Sequence, residues 1–204
     1  HCRLNPDTVD NVMASVLDFG CGTGDFLKEA MADAKRRGYR LEAAGYDISG
    51  YAVDGFPVLT GSGPEDYDGV AKMLGGVCQD IRDPEGPVDP WDIVTFYDSL
   101  EHVPDFMRVL RMINARHVVI SLPWCHANTL GVEWFTGWKH RKPGEHLWHF
   151  DAASLCGVMG SLGWRAVTVG NPEDRIRKPA APAIGGGYGG VPNILTGIFE
   201  RMII

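Results

Sequence analysis

The sequence has no long hydrophobic run, because no window approaches the roughly eighteen consecutive apolar residues of a membrane-spanning helix. Residues 1–6 also lack the apolar core of a secretory signal peptide. We therefore expect a cytoplasmic protein without a membrane partner.

Cysteine and positive charge are also scarce. The five cysteines are an odd number and none has C-x-x-C spacing, which favours reduced thiols over a disulfide framework or a zinc ribbon. Nineteen lysines and arginines stand against 26 aspartates and glutamates, so the formal net charge is −7. A protein that holds nucleic acid through a basic surface needs the opposite balance, and we do not expect nucleic acid as a partner.

The chain does contain enough apolar sequence for one core. A hydrophobic fraction of 45% in 204 residues predicts a single domain over residues 1–204. The 26 glycines and 13 prolines are about 19% of the chain. Because about 12% is usual, this excess indicates long loops.

Short apolar runs alternate with segments of helical spacing along the chain. Such alternation is typical of βαβ units and predicts an α/β fold: a doubly wound, mainly parallel, seven-stranded Rossmann-like sheet with helices on both faces and a ligand at the carboxyl ends of the strands. The strands are expected at residues 14–19, 41–46, 77–79, 91–97, 117–122, 164–169 and 194–201. The helices are expected at residues 25–38, 62–74, 104–113 and 151–162.

Two segments interrupt this pattern. Residues 171–192 are rich in glycine and proline, include the run 185–190 and are expected to form a loop without an assigned function. Residues 123–150 follow the fifth strand and hold four of the six tryptophans and four of the seven histidines. Long loops with so many large rings pack a lid or line a pocket, so we interpret residues 123–150 as a substrate or lid insertion.

A glycine-rich loop, VLDFGCGTGD at residues 16–25, lies where the first strand meets the first helix. Glycine lets a ligand approach the backbone, and the helix start offers unpaired N–H groups, but many nucleoside binders share such a loop. The charged residues of this segment are a more specific sign of the class of ligand. Asp25 stands where a dinucleotide fingerprint has a small residue, and with Asp18 it favours a ligand with cationic groups over the pyrophosphate of a nicotinamide cofactor.

The segment D-F-G-C-G-T-G resembles motif I of the class I S-adenosylmethionine-dependent methyltransferases, including the methyltransferase-23 and ubiquinone-biosynthesis groups. The order of elements extends this resemblance over about residues 14–170. The resemblance implies S-adenosyl-L-methionine as the cofactor and S-adenosyl-L-homocysteine as its product. The implied cofactor contacts are Asp18, Phe19, Gly20, Cys21, Gly22, Gly24, Asp47, Ile48, Asp80, Ile81, Asp98 and Ser99.

The same resemblance gives particular roles to three strand ends. Asp47, after the second strand, would accept the ribose hydroxyls, and Asp80, after the third, would bind the adenine amino group. Residues 92–103 resemble the fourth-strand motif D-x-V-x-x-x-x-x-x-E-H and bring Asp98 to the same crevice. Cys21 is expected to be only a small loop residue without a redox role.

Methyl transfer from a sulfonium is an in-line displacement, so the enzyme mainly has to hold nucleophile, methyl group and sulfur in line. An acceptor hydroxyl or protonated amine also needs a base, and histidine titrates near neutral pH. We therefore regard His102, just beyond the fourth strand, and His149, within the H-x-x-H-F element at residues 146–150, as candidate catalytic residues. Each could instead cap a helix or pack structurally.

A metal-assisted alternative uses some of the same residues. Asp98, Glu101 and His102 have i, i+3 and i+4 spacing, and with His146 or His149 they could hold a divalent cation. The spacing resembles that of metal-assisted O-methyltransferases of ubiquinone biosynthesis and of small-RNA 2′-O-methyltransferases, but Asp98 replaces their usual glutamate. We therefore favour a site without metal, in which Asp98 lines the cofactor pocket and Glu101 caps or orients.

Residues 138–142, WKHRK, could stack a base and hold a phosphate, although a solvated loop tip is the simpler interpretation.

The sequence as a whole predicts a methyltransferase that moves a methyl group to an oxygen or nitrogen atom of a small-molecule acceptor. The alternatives are a metal-assisted or RNA-directed O-methyltransferase and a non-catalytic nucleoside-binding module.

Overall fold

The computed structural model describes residues 13–49, 55–60, 70, 74–75, 77–78, 88–175 and 191–202. Its largest sheet has seven strands: β1 Met13–Phe19, β2 Arg40–Asp47, β3 Val58–Thr60, β6 Trp91–Tyr97, β7 Ala115–Pro123, β8 Trp164–Gly170 and β9 Ile194–Arg201. β4 Val77–Cys78 and β5 Val88–Asp89 form a separate antiparallel pair. The α-helices whose bounds lie within the described residues are α1 Asp25–Arg36, α2 Phe106–Met112, α3 Ala127–Gly137 and α4 Ala152–Ser161. In the same residues, short 3-10 helices span Leu100–His102 and Pro172–Arg175.

The strands of the large sheet lie in the order β3-β2-β1-β6-β7-β9-β8. The first five of these are parallel, whereas β9 runs antiparallel to both β7 and β8. This confirms the predicted mainly parallel α/β sheet. Because β2, β1 and β6 are parallel neighbours, their carboxyl ends at Asp47, Phe19 and Tyr97 lie side by side at one edge.

Each face of the sheet has its own buried core. Val16 of β1 packs in a cluster with Leu27 of α1, while the next residue, Leu17, packs in a larger cluster with Val109 of α2 and Leu155 of α4. Successive strand residues point to opposite faces, so helices cover both sides of the sheet, as the doubly wound fold predicts.

The strand expected at residues 77–79 is present as β4, but its expected place as the third strand of the large sheet is wrong. The third strand of the large sheet is β3, which pairs with β2, whereas residues 77–78 pair with residues 88–89. β3 has only three residues and follows the turn-like sequence Gly55-Phe56-Pro57, so no alternation of apolar and polar residues marks it as a strand.

Several sequence expectations fall outside the described residues. They concern the adenine contacts Asp80 and Ile81, most of the helix expected at 62–74, and the glycine run 185–190.

Residues 123–150 contain a helix, so the expectation of a continuous loop is wrong. α3 is kinked at Gly131, whose φ of 85° is not helical. Trp134 and Trp138 are each 7% exposed and share a buried cluster with Cys125. The kink interrupts the 3.6-residue spacing, which explains why the sequence pattern does not show this helix.

The helices expected after β1, after β6 and before β8 are confirmed as α1, α2 and α4. α4 begins at a capping box, in which Ser154 N–H donates to Asp151 Oδ1 at 2.7 Å and Asp151 N–H donates to Ser154 Oγ at 3.0 Å. In the part of the chain that the structure describes, every helix is too short or too polar to cross a membrane.

Candidate active site

The glycine loop is held against the end of β2. The N–H groups of Gly20 and Cys21 both donate to the carbonyl oxygen of Tyr46, at 2.7 and 3.1 Å. Gly20 has a left-handed backbone with a φ of 81°, and a Cβ at this position would lie 2.5 Å from Cβ of Ser99. Only glycine therefore allows the loop to approach the turn after β6 this closely.

Asp47 is fixed at the end of β2 by three donors. The N–H of Gly22 donates to Oδ2 at 2.8 Å, the N–H of Ser49 donates to Oδ1 at 2.8 Å, and the Ser49 hydroxyl also donates to Oδ1. Burial acts to raise the pKa of Asp47, but these hydrogen bonds outweigh it and lower the pKa below its usual value. Asp47 is therefore an ionised hydrogen-bond acceptor beside the loop.

Asp18 and Asp25, which flank the loop in sequence, have different environments. Asp18 is 3% exposed and accepts a hydrogen bond from the Thr95 hydroxyl at 2.6 Å. Burial raises the pKa of Asp18 to about 6, and the Thr95 hydrogen bond offsets this only in part. The Asp25 side chain is 82% exposed and lies 3.5 Å from Nζ of Lys28. Only Asp18 is enclosed by the fold.

A cavity of about 320 Å³ opens at this edge of the sheet. It is lined by Phe19, Gly20, Tyr46, Asp47, Ile48, Val70, Asp98, Ser99, His102, Val103 and Val109. Four of the predicted contacts, Asp18, Cys21, Gly22 and Gly24, are not among its lining residues. The sequence does not predict that Tyr46 and the three valines line the cavity, because an apolar residue beside a cavity follows the same sequence pattern as one in the core.

The turn after β6 brings Asp98 and Ser99 to the cavity. Asp98 has a φ of 46°, which places it alone among the described non-glycine residues in the left-handed region. Its N–H donates to the carbonyl of Ser121 at 2.8 Å. Ser99 Oγ is buried and has no hydrogen-bond partner in the described ranges. Strained backbone and unsatisfied buried polar atoms are costly, so together they make this turn a candidate part of a ligand site.

Glu101, His102 and His146 converge next to the cavity. One potential ligand atom from each residue lies within 4.8 Å of the others, and the two imidazole rings meet edge to face with centroids 4.6 Å apart. Oε1 of the buried Glu101 lies 3.9 Å from Nε2 of His102. Burial lowers the pKa of His146, and His102 and Lys142 lower it further. Three of the four candidate metal ligands therefore come together, whereas Asp98 is not part of the cluster.

His149 lies apart from His102. It lines a second cavity of about 280 Å³ together with Cys125, Phe135 and Asp151. Its Nε2 is buried without a hydrogen-bond partner among the residues described, and burial together with Arg141 lowers its pKa. The two candidate catalytic histidines therefore line different cavities.

Residues 138–142 offer no exposed ring for base stacking. Trp138 is buried, and the Arg141 guanidinium lies over the ring of Phe135, 5.5 Å from its centroid. Lys142 Nζ lies 2.8 Å from Oε1 of Glu145. The base-stacking interpretation of this segment therefore loses the tryptophan on which it depends.

Cys21 fills the space beside β2. A Cβ at Gly45 would lie 2.5 Å from its Sγ, so the thiol packs against a glycine. Burial, reinforced by the charges of Asp18 and Asp47, raises the pKa of Cys21 to about 12. The thiol is protonated at neutral pH, which agrees with a packing role and not a redox role.

The sequence and the fold resemble those of known methyltransferases. Residues 3–169 match a family profile described as "Methyltransferase domain", Methyltransf_23, whereas no curated protein matches the sequence. A putative S-adenosylmethionine dependent methyltransferase from Listeria monocytogenes is 13% identical, with a TM-score of 0.56 over 95% of this chain and 92% of that one.

Two larger proteins are also similar in structure. LepI, solved in complex with SAM, is 11% identical with a TM-score of 0.58, and the match covers 96% of this chain but 44% of LepI. The small RNA methyltransferase HEN1 is 16% identical with a TM-score of 0.51, and the match covers 95% of this chain and 24% of HEN1. Such low identities show the shared fold alone. Because the family profile spans most of the sequence, the chain belongs to the methyltransferase-domain family Methyltransf_23.

Proposed function

We propose that the chain is an S-adenosylmethionine-dependent methyltransferase that methylates an oxygen or nitrogen atom of a small molecule. The observation that carries this proposal is the cavity at the ends of β1, β2 and β6, where Gly20 leaves no room for a side chain and Ser99 has a buried, unsatisfied hydroxyl within the described ranges. The lining of this cavity supports a nucleoside as its ligand, because Phe19 and Tyr46 supply apolar rings and Asp47 an ionised acceptor.

When bound, S-adenosylmethionine supplies a methyl group on a positively charged sulfur. The chain's own residues would bind and orient it: Asp47 is the proposed acceptor for the ribose hydroxyls, and Asp18 provides a buried carboxylate next to the loop. Asp80 and Ile81 are the proposed adenine contacts and lie outside the described residues.

His102 is the proposed base that takes a proton from the acceptor. Its ring lines the cavity, and the Glu101 carboxylate, 3.9 Å from Nε2, would stabilise the positive ring that forms. His149 faces the second cavity, so its proposed role is to contact a part of the acceptor away from the reacting atom.

Two observations support a small acceptor rather than RNA. The net charge is −7, and Trp138 is buried instead of being offered to a base. We also propose that residues 123–150 supply the acceptor side of the site, because His146 from this segment meets His102.

Transfer of a labelled methyl group from S-adenosylmethionine to an extracted metabolite pool tests this function. We expect a labelled small-molecule product, and His102→Ala should slow its formation by about 10²- to 10⁴-fold, a far larger change than the change in cofactor affinity. His117→Ala is the matched control, because His117 lies near the start of β7 at the opposite edge of the sheet. Cofactor binding without any labelled product would instead support a non-catalytic nucleoside-binding module.

Metal-assisted O-methyl transfer is a second candidate function, favoured by the convergence of Glu101, His102 and His146. Two imidazoles and a carboxylate suit a divalent cation such as Zn²⁺ or Mn²⁺, which would polarise an acceptor oxygen. Calorimetric titration of metal-stripped protein with Mg²⁺, Mn²⁺ and Zn²⁺ tests this candidate. Tight binding that His146→Leu abolishes and His117→Ala preserves would support it, and absence of binding would rule it out.

A further inference from the structure

Residues 142–148 form a turn that is attached to the residues following β6. The N–H groups of Leu147 and Trp148 both donate to the carbonyl oxygen of Glu101, at 2.9 and 3.2 Å. The indole Nε1–H of Trp148 donates to the carbonyl oxygen of Val103 at 2.9 Å. Three hydrogen bonds therefore fix this turn to the backbone on both sides of the proposed base.

A further contact reaches the side chain of that base. Nδ1 of His102 lies 2.9 Å from the carbonyl oxygen of Glu145. A carbonyl oxygen can only accept, so Nδ1 must carry a proton, and in the neutral ring the lone pair is then on Nε2. Nε2 is the nitrogen that lies 3.9 Å from Oε1 of Glu101.

The direction of the Glu145 carbonyl depends on the shape of the turn. The N–H groups of Glu145 and His146 donate to the carbonyl oxygen of Lys142 at 3.1 and 2.9 Å, and Lys142 Nζ pairs with the Glu145 carboxylate. Gly144, inside the turn, has a φ of 82°. A side chain at this position would disfavour the left-handed backbone and so redirect the following carbonyl.

We propose that the 142–148 turn is a positioning element, which holds His102 as the Nδ1–H tautomer and so keeps the lone pair of Nε2 beside Glu101. This inference rests on the proposed function, in which that lone pair accepts the proton of the methyl acceptor. A histidine without such a partner divides between its two tautomers, and part of the population would then have no proton acceptor at this position.

Nitrogen-15 NMR of the imidazole rings tests the proposal in the full chain with S-adenosylhomocysteine bound. The key variant is Gly144→Val, and Gly163→Val is its matched control. Both glycines have a φ of 82° and nothing within 4 Å of an added Cβ, so the two substitutions introduce the same backbone strain. Gly163 precedes β8 at the opposite edge of the sheet.

We expect His102 to be entirely Nδ1–H in the wild type and in Gly163→Val, and to show an Nε2–H population in Gly144→Val. Affinity for S-adenosylhomocysteine should change by less than about threefold in both variants, since neither residue lines the first cavity. An Nε2–H ring in the wild type, or an unchanged tautomer in Gly144→Val, would overturn the proposal.

Trp148→Phe is a second test that does not strain the backbone. It removes the Nε1–H donor but keeps an aromatic ring against Phe106, whose centroid is 4.9 Å away. Trp164→Phe is the control, because its indole N–H makes no hydrogen bond within the described residues. Tautomer mixing in Trp148→Phe alone supports the proposal, and mixing in neither or in both contradicts it.

The tautomer measurement does not depend on methyl transfer. A wild-type Nδ1–H ring in a protein that transfers no methyl group would contradict only the proposed function. An Nε2–H ring in an active methyltransferase would contradict only the positioning role.

Discussion

Gly20 and Gly22 differ in the room that a side chain would have, although both have positive φ angles. A Cβ at Gly20 would lie 2.5 Å from Cβ of Ser99, whereas one at Gly22 meets nothing within 4 Å. We expect Gly20→Ala to lower the free energy of unfolding by about 1–3 kcal/mol and the affinity for S-adenosylhomocysteine at least tenfold. Gly22→Ala should cost about 1 kcal/mol, for backbone strain alone. Urea unfolding and calorimetric titration measure both effects, and equal losses in the two variants would contradict the steric argument.

The buried carboxyl group of Asp18 should make the stability of the protein depend on pH. Burial, offset in part by Thr95, raises its pKa from 3.8 to about 6 on folding. The folded state then binds more protons than the unfolded chain between these values. The stabilising contribution of Asp18 is therefore fully present below about pH 4 and is lost as the pH rises through 6. The difference between the two pKa values corresponds to about 3 kcal/mol.

Asp18→Asn should remove this loss, because the amide has no charge to bury. Relative to the wild type, we expect the variant to gain about 3 kcal/mol between pH 4 and pH 7, measured as free energy of unfolding in urea. Asp25→Asn is the control, since its side chain is 82% exposed. A difference between wild type and Asp18→Asn that does not vary with pH would show that the carboxylate is not desolvated.

Among the helices, α2 and α4 both begin at an aspartate N-cap, but only one of these caps also joins two helices. Asp105 accepts from the N–H of Arg108 at 3.0 Å. Asp151 accepts from the N–H of Ser154 and also, at 2.7 Å, from Nδ2 of Asn128 in α3. An N-cap contributes about 1 kcal/mol, so the second bond should make Asp151 the more important of the two.

We expect Asp105→Ala to cost about 1 kcal/mol and Asp151→Ala about 2 kcal/mol in urea unfolding. Amide hydrogen exchange should also become faster in α3 in Asp151→Ala and stay unchanged there in Asp105→Ala. Unchanged exchange in α3 of both variants would show that the bond from Asn128 does not hold this helix.

For the molecule as a whole, cofactor binding should appear as stabilisation. A ligand that binds only the folded state at 100 times its Kd adds about 2.7 kcal/mol. For a domain of this size that raises the Tm by roughly 5–10 °C. We expect this shift with S-adenosylhomocysteine and none with NADH at the same concentration, because Asp25 stands where a dinucleotide fingerprint has a small residue and its carboxylate would repel a pyrophosphate. A shift with NADH alone would contradict the proposed cofactor.

The sequence alone predicts much of the architecture. β1, β6 and the helices after them have residue patterns that suffice to locate them, and the order of elements implies a mainly parallel sheet. β3 and α3 are two elements that the residue pattern does not show, for physical reasons. The three residues of β3 are too few to show a periodicity, and the kink at Gly131 interrupts the helical periodicity of α3. The pairing of β3 with β2 and the burial of Trp134 in α3 reveal these elements only in the structure.

For the proposed cofactor cavity, the sequence by itself determined the glycine loop and the acidic strand end, because the requirements there are local. Position 20 must be a glycine because of its φ and its close approach to Ser99, and Asp47 is the last residue of β2. Residues within a few positions of a strand end share its edge of the sheet, so their meeting needs no knowledge of distant contacts.

Only the tertiary structure decided which histidine joins His102. His146 and His149 are three residues apart in sequence, yet the first meets Glu101 and the second lines another cavity. The reason is that backbone hydrogen bonds from Leu147 and Trp148 to Glu101 set the path of this segment. Bonds between residues so far apart in the chain leave no pattern in a single sequence, because each partner looks locally like an ordinary loop residue.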